Sequence, residues 1–217
     1  MPPQVDFYFD VGSPAAYLAF TQIEAIAREA GASVNHKPML LGGVFQATGN
    51  ASPATVPAKG AYTFTDFDRF ARRYGVPLKR NPHFPINTLA LMRAVTGMQM
   101  REPARFLDFT RTVFESIWLH ALNMNDPAVV AQQSIRAFEE IFDHADEKRW
   151  VSDDGRGSPR EADHAEVAHD DRPPAAAARE CRQGRVDFHA KRRHVRGYGA
   201  QERAASAGWL QQLVCAG

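Results

Sequence analysis

The sequence predicts an α/β fold that opens with a β-α-β unit and continues as a run of helices. Three observations predict it. Val5, Phe7 and Phe9 alternate with Asp6, Tyr8 and Asp10, the period of two of a β-strand. At Ser13-Pro14 the period changes, and Ala16, Ala19, Phe20, Ile23, Ile26, Ala27 and Ala30 recur at helical spacing. After a second strand at Ser33–Pro38, apolar residues recur at helical spacing in successive stretches up to about residue 145.

Taken in order, the first strand runs straight into a helix with Pro14 at its first position, where the missing N–H costs nothing. Ser13 is then the N-cap, its hydroxyl beside backbone N–H groups that lack intrahelical acceptors and at the positive end of the helix dipole. A serine before a helical proline is most often only a cap. A first strand that ends in a helix N-terminus is also where α/β folds hold anions and reactive groups. Gly31 stops the helix, and the short strand-helix-strand span implies a parallel pair. Met39–Phe45 reads as a turn, and Thr48–Gly60, rich in Gly, Pro and small residues, as a loop long enough to carry function.

Thr65 reads as the cap of a helix with the stripe Phe67, Phe70, Ala71 and Tyr74, ended by Gly75-Val76-Pro77. Asn81–Asn87 is a proline-punctuated loop. Further helices are expected from Thr88 to Thr96, from near Pro103 with Phe106, Phe109, Val113, Phe114 and Ile117 on one face, and from Ser134 to Ala145. These stripes read as core.

The 217 residues suit one large domain or one domain with an insertion, and 44% hydrophobic with 24% charged residues is a globular balance. A net charge of +1 gives no reason to expect nucleic acid or an acidic membrane as partner. Met1-Pro2-Pro3-Gln4 leads into the first strand with no basic or apolar leader, and no run reaches the length of a membrane span, so a cytoplasmic protein is expected. Cys181 and Cys215 form no CxxC, and no His/Cys spacing fits a metal site.

Phe7-Tyr8-Phe9-Asp10 with Ser13-Pro14 and Tyr17-Leu18-Ala19 resembles the opening of 2-hydroxychromene-2-carboxylate isomerases, relatives of kappa-class glutathione transferases in the DsbA-like thioredoxin superfamily. Gly49-Asn50 with Val56-Pro57-Ala58-Lys59-Gly60, then Arg72–Leu78, then Asn81–Thr88 continue the resemblance, which covers residues 4–150. It implies a thioredoxin-like fold with a helical insertion between its halves. Ser13 matches the position of the first cysteine of a thioredoxin CxxC, and Gly12-Ser13-Pro14-Ala15 contains no cysteine. Disulfide exchange needs a protein thiolate, so this motif cannot run it. In the family, glutathione is the cofactor that brings the thiol, and the serine hydroxyl with the helix dipole favours its thiolate.

The implied reaction is cis–trans isomerisation of 2-hydroxychromene-2-carboxylate by reversible thiolate addition, in aromatic catabolism. The alternatives are a kappa-like glutathione transferase or peroxidase, and an inactive truncated family member. By the same resemblance Ser13 is catalytic, while Asn50 and Lys59 match positions near the glutathione or the substrate, a small aromatic carboxylate. Phe84 and Asn87 are candidates for the slot that takes its ring. A solvated loop lysine is the plain alternative for Lys59, and turn chemistry for Asn50. A homodimer is the family habit.

After Trp150 the sequence changes character. Residues 151–217 are dense in Asp, Arg, His and Ala, with the low-complexity run Pro173-Pro174-Ala175-Ala176-Ala177-Ala178. The second thioredoxin half expected there, with its loop proline, is not recognisable. Two expectations stand: a disordered tail too poor in apolar residues to offset its ordering entropy, or a shifted reading frame. One codon choice for Val186–Lys191, read one nucleotide forward, gives Ser-Thr-Phe-Thr-Pro, similar to the family's strand entry. Either way the second half would be incomplete, stability weak, and catalysis reduced.

Overall fold

The first strand and helix form where the two periodicities place them. The structure is a computed structural model and describes residues 2–139. Strand β1 (Gln4–Phe9) leads into α1 (Pro14–Glu29) and back to β2 (Ser33–Pro38), and the strands pair in parallel from Gln4 opposite Ser33 to Phe9 opposite Pro38. Among the described residues the sheet has these two strands. Ser13 caps α1 in an extended conformation with Pro14 following, and Gly31 turns the chain at φ +67°. The β-α-β opening is as the sequence predicts.

The next segment differs. Met39–Phe45 reads as a turn because of Gly42-Gly43, yet α2 (Leu41–Thr48) is a helix ended by Gly49 at φ +66°. Leu40 at its N-cap position offers no side-chain acceptor, but the Leu41 N–H donates to Asp10 Oδ2 at 2.8 Å. A cap supplied from the end of β1 offsets the poor helix propensity of the glycines, and local sequence cannot show it.

The expected loop over Thr48–Gly60 is also shorter. A 3₁₀ turn at Pro53–Thr55 leads into α3 (Pro57–Tyr74), so Pro57 is an N1 proline and Lys59 and Gly60 belong to the first turn of that helix. Gly60 is buried and a Cβ there would lie 3.3 Å from Ala54 Cα, so the glycine serves close packing rather than loop freedom. Thr65 is interior to α3, its hydroxyl donating to Ala61 O at 3.0 Å, and is not a cap. Gly75 ends the helix at φ +67°, as expected.

Helices α4 (Leu89–Arg101) and α5 (Phe106–Trp118) follow, and α6 covers 127–139. Helix α4 outruns its expected end at Thr96 because Gly97 is tolerated in a buried interior position, and α6 starts before Ser134. One core joins them: Phe9, Phe20, Phe106 and Phe114 pack with ring centroids 5.2–6.5 Å apart. Trp118 is fully buried and donates from Nε1 to Val11 O at 2.8 Å, which ties α5 to the end of β1. The boundary expected at residue 150 and both readings of residues 151–217 lie outside the described residues.

Candidate active site

The strand-to-helix junction places Ser13 by main-chain and side-chain bonds together. Its N–H donates to Asp10 O at 3.0 Å, its carbonyl accepts from Tyr17 N at 3.0 Å, and Oγ accepts from Ala16 N at 3.2 Å. A hydroxyl that accepts a capping bond still has its proton to donate. Pro14 has no N–H, and the Ala15 N–H has no intrahelical acceptor, so donors and dipole at this end of α1 favour an anion beside Ser13.

Ser13 opens onto a cavity of about 590 Å³. Its walls are the turn from Asp10 to Ala15, the first half of α2, the 52–54 turn with Gly60, Thr63, Phe64 and Phe67 of α3, and residues 84–89. Gly42 lines it with nothing within 4 Å of where a Cβ would be, so the wall from α2 leaves open space there. The apolar side is aromatic. Phe64 meets Phe67 and Phe84 edge-to-face at 6.0 and 5.7 Å, and Phe84 rests against Trp118 at 6.0 Å. These rings give the cavity a large apolar aromatic side against which a planar ligand can pack.

Two asparagines fasten the segment that carries Phe84. Asn81 donates from Nδ2 to Ile117 O and Leu122 O, at 3.0 and 2.9 Å, and accepts from His83 N. Asn125 donates to His83 O and Pro85 O and accepts from Asn87 N. The Phe84–Pro85 peptide is cis. Asn87 Oδ1 accepts from Leu89 N at 3.2 Å, so this side chain also caps α4.

Of the five residues named from sequence, the structure brings Ser13, Phe84 and Asn87 to one cavity. Asn50 and Lys59 are exposed and do not line it. Asn50 accepts from Ala51 N in the turn after α2, and Lys59 sits on α3 beside the lining residue Gly60. Asp10, Thr88 and Phe64 line the cavity without having been singled out. The spacing Asp10-Val11-Gly12 was a usable signal, since an Asp two residues before a Gly closes a turn with its own carboxylate. For Thr88 and Phe64 no local signal exists. A separate concavity of about 470 Å³ between residues 38–40 and α4 contains none of the five.

A β-α-β unit joined to a helical layer, with a capping serine at the first helix N-terminus and a cavity above it, defines the class: a thioredoxin-like protein with no cysteine among the described residues of its site. The family model for the DSBA-like thioredoxin domain matches residues 4–141, and the chain belongs to that family. It is 30% identical over 122 residues to glutathione S-transferase kappa 1 of Caenorhabditis elegans, covering 54% of each chain. It is 30% identical over 116 residues to 2-hydroxychromene-2-carboxylate isomerase of Pseudomonas putida, covering 52% of this chain and 55% of that one. The chain thus spans about half the length of these relatives. A solved structure of a selenomethionine 2-hydroxychromene-2-carboxylate isomerase superposes with a TM-score of 0.51 at 26% identity, over 68% of this chain and 75% of that one.

Proposed function

We propose that the cavity binds glutathione with its sulfur beside Ser13 and serves cis–trans isomerisation of a 2-hydroxychromene-2-carboxylate-type substrate. The observation that carries this reading is the Ser13 hydroxyl, proton free, at the start of α1 and open to a 590 Å³ cavity with an aromatic side. That volume falls in the range of small-molecule sites. The residues fit the group: a serine donor, a helix N-terminus and, among the described residues, no competing protein thiol. Bound glutathione would supply a thiolate able to add to a conjugated double bond, leaving a single bond that rotates before elimination.

The chain's own part is to favour that thiolate and to hold the ring. Ser13 donates to the sulfur while the dipole of α1 adds partial positive charge. Phe84, with Phe64 and Phe67 behind it, takes the aromatic ring, and Asn87 stands beside it at the mouth of α4. Lys59 and Asn50 are proposed at the rim, each close in sequence to a residue that lines the cavity, for the glutathione or substrate carboxylates. A cytoplasmic homodimer acting on a small aromatic carboxylate completes the reading.

Calorimetry with glutathione on the chain and on Ser13→Ala tests it. We expect binding to the chain and a drop in turnover of about 100-fold in the variant, the order seen when one preorganised donor is removed. Absence of glutathione binding to either would leave the inactive family member as the better account. The similarity to kappa-class transferases favours one further reading, a transferase using the same thiolate. Loss of chromene absorbance with glutathione kept catalytic supports isomerisation, whereas stoichiometric consumption of glutathione supports transfer.

A further inference from the structure

Asp10 is 3% exposed and directly follows β1, yet among the described residues no cation pairs with its carboxylate. It accepts from three donors on three different segments. Oδ1 takes the Gly12 N–H at 2.9 Å; Oδ2 takes the Leu41 N–H at 2.8 Å and the Thr88 hydroxyl at 2.9 Å. Its carbonyl also accepts from Ser13 N. One side chain therefore joins the turn before Ser13, the start of α2 and the start of α4, and all three line the cavity.

We propose that Asp10 is a positioning residue that sets where the Ser13 hydroxyl meets the glutathione sulfur; this rests on the glutathione reading above. The bond to Gly12 fixes the peptide immediately before Ser13, and the bonds to Leu41 and Thr88 fix the two walls facing it. The Ser13 hydroxyl makes only the capping bond from Ala16 N of its own helix, so its orientation depends on the turn that carries it.

Asp10→Asn isolates this role because it keeps the volume and removes one acceptor. Whichever way the amide is turned, its NH₂ faces a backbone N–H, either that of Gly12 or that of Leu41. The orientation that keeps Leu41 and Thr88 satisfied releases Gly12, and with it the turn before Ser13. Loss of a negative charge near the sulfur alone would favour the thiolate, whereas loss of Ser13 positioning would disfavour it. The two effects have opposite signs.

The experiment compares the full chain with Asp10→Asn by titrating the thiolate ultraviolet absorbance of bound glutathione, and by calorimetry with S-methylglutathione, which has no thiol to ionise. We expect comparable S-methylglutathione affinity and a bound-thiol pKa raised by about one unit, a tenfold smaller thiolate fraction below the pKa. An unchanged or lowered thiol pKa in Asp10→Asn overturns the proposal. Thr88→Val, which removes one donor at constant shape, decides the matter if Asp10→Asn does not fold. A smaller upward shift supports the role, and no shift or a downward one refutes it. If the parent chain fails to bind glutathione at all, the glutathione reading falls and this proposal with it, a result visible before any variant is made.

Discussion

At the scale of single residues, Gly12 and His36 show how closely the surroundings of the junction are specified. A Cβ on Gly12 would lie 2.7 Å from Thr88 Cγ2, so Gly12→Ala forces the turn or Thr88 to move. We expect a loss of about 1–3 kcal/mol in stability, as for other overpacking substitutions, measured by the denaturant midpoint. His36, 8% exposed, is boxed by Phe7, Phe9, Phe20 and Phe106 at 5.9–6.3 Å. Its Nε2 makes no hydrogen bond, with Glu24 Oε1 3.5 Å away. Burial pushes this imidazole below its ordinary value of 6.5, against a weaker opposite pull from Glu24. Below pH 6.5 the unfolded chain therefore binds more protons here than the folded one, so this group's contribution to stability is present above 6.5. It is lost as pH falls toward the lowered folded value. Denaturant midpoints at about pH 7.5 and about pH 5 should differ, and the difference should shrink in His36→Phe.

At the scale of elements, the legible ones were those whose start and stop signals are local. Ser13-Pro14 with Gly31, and Gly75 after the α3 stripe, fixed both ends or one end of a helix correctly. Helix α2 was not legible, because its cap is the carboxylate of Asp10 and not Leu40. The start of α3 was hidden for a related reason: the Gly60–Ala54 approach is tertiary packing, while Gly and Pro locally signal a loop. The candidate site divides the same way, Ser13 being readable from its position and Phe64 only from three-dimensional packing. The 81–88 segment is the element on which specificity should depend. Asn125→Ala removes three hydrogen bonds from exposed backbone groups, so we expect a stability loss of only about 1–2 kcal/mol. On the proposed function, the KM for the aromatic substrate should rise while glutathione affinity stays near that of the parent chain, and steady-state kinetics with each varied in turn checks this.

At the scale of the whole molecule, two parallel strands among the described residues cannot stand by themselves and draw their stability from the helices they touch. Phe9 reaches both α1 and α5, and Trp118 reaches the end of β1. The β1–β2 ladder, α1 and α5 should therefore open as one unit, with matching amide-exchange protection, while residues 49–56 exchange first. Exchange of the ladder well before α5 would show that the sheet is held by something other than this packing. The overall class was readable because a change of period from two to helical spacing survives any tertiary detail. The meeting of four segments around one cavity was not, since each contributes residues whose neighbours in space are remote in sequence.

The Gly12–Thr88 contact couples the histories of two distant positions. A methyl at 12 and the γ-methyl at 88 compete for one space, whereas a serine at 88 would keep the hydroxyl that reaches Asp10 and vacate it. Gly12→Ala and Thr88→Ser should each be tolerated better in the presence of the other, a coupling that a double-mutant cycle reads directly. Among homologous sequences the pair should covary, with alanine or larger at the first site accompanying a residue without a γ-methyl at the second.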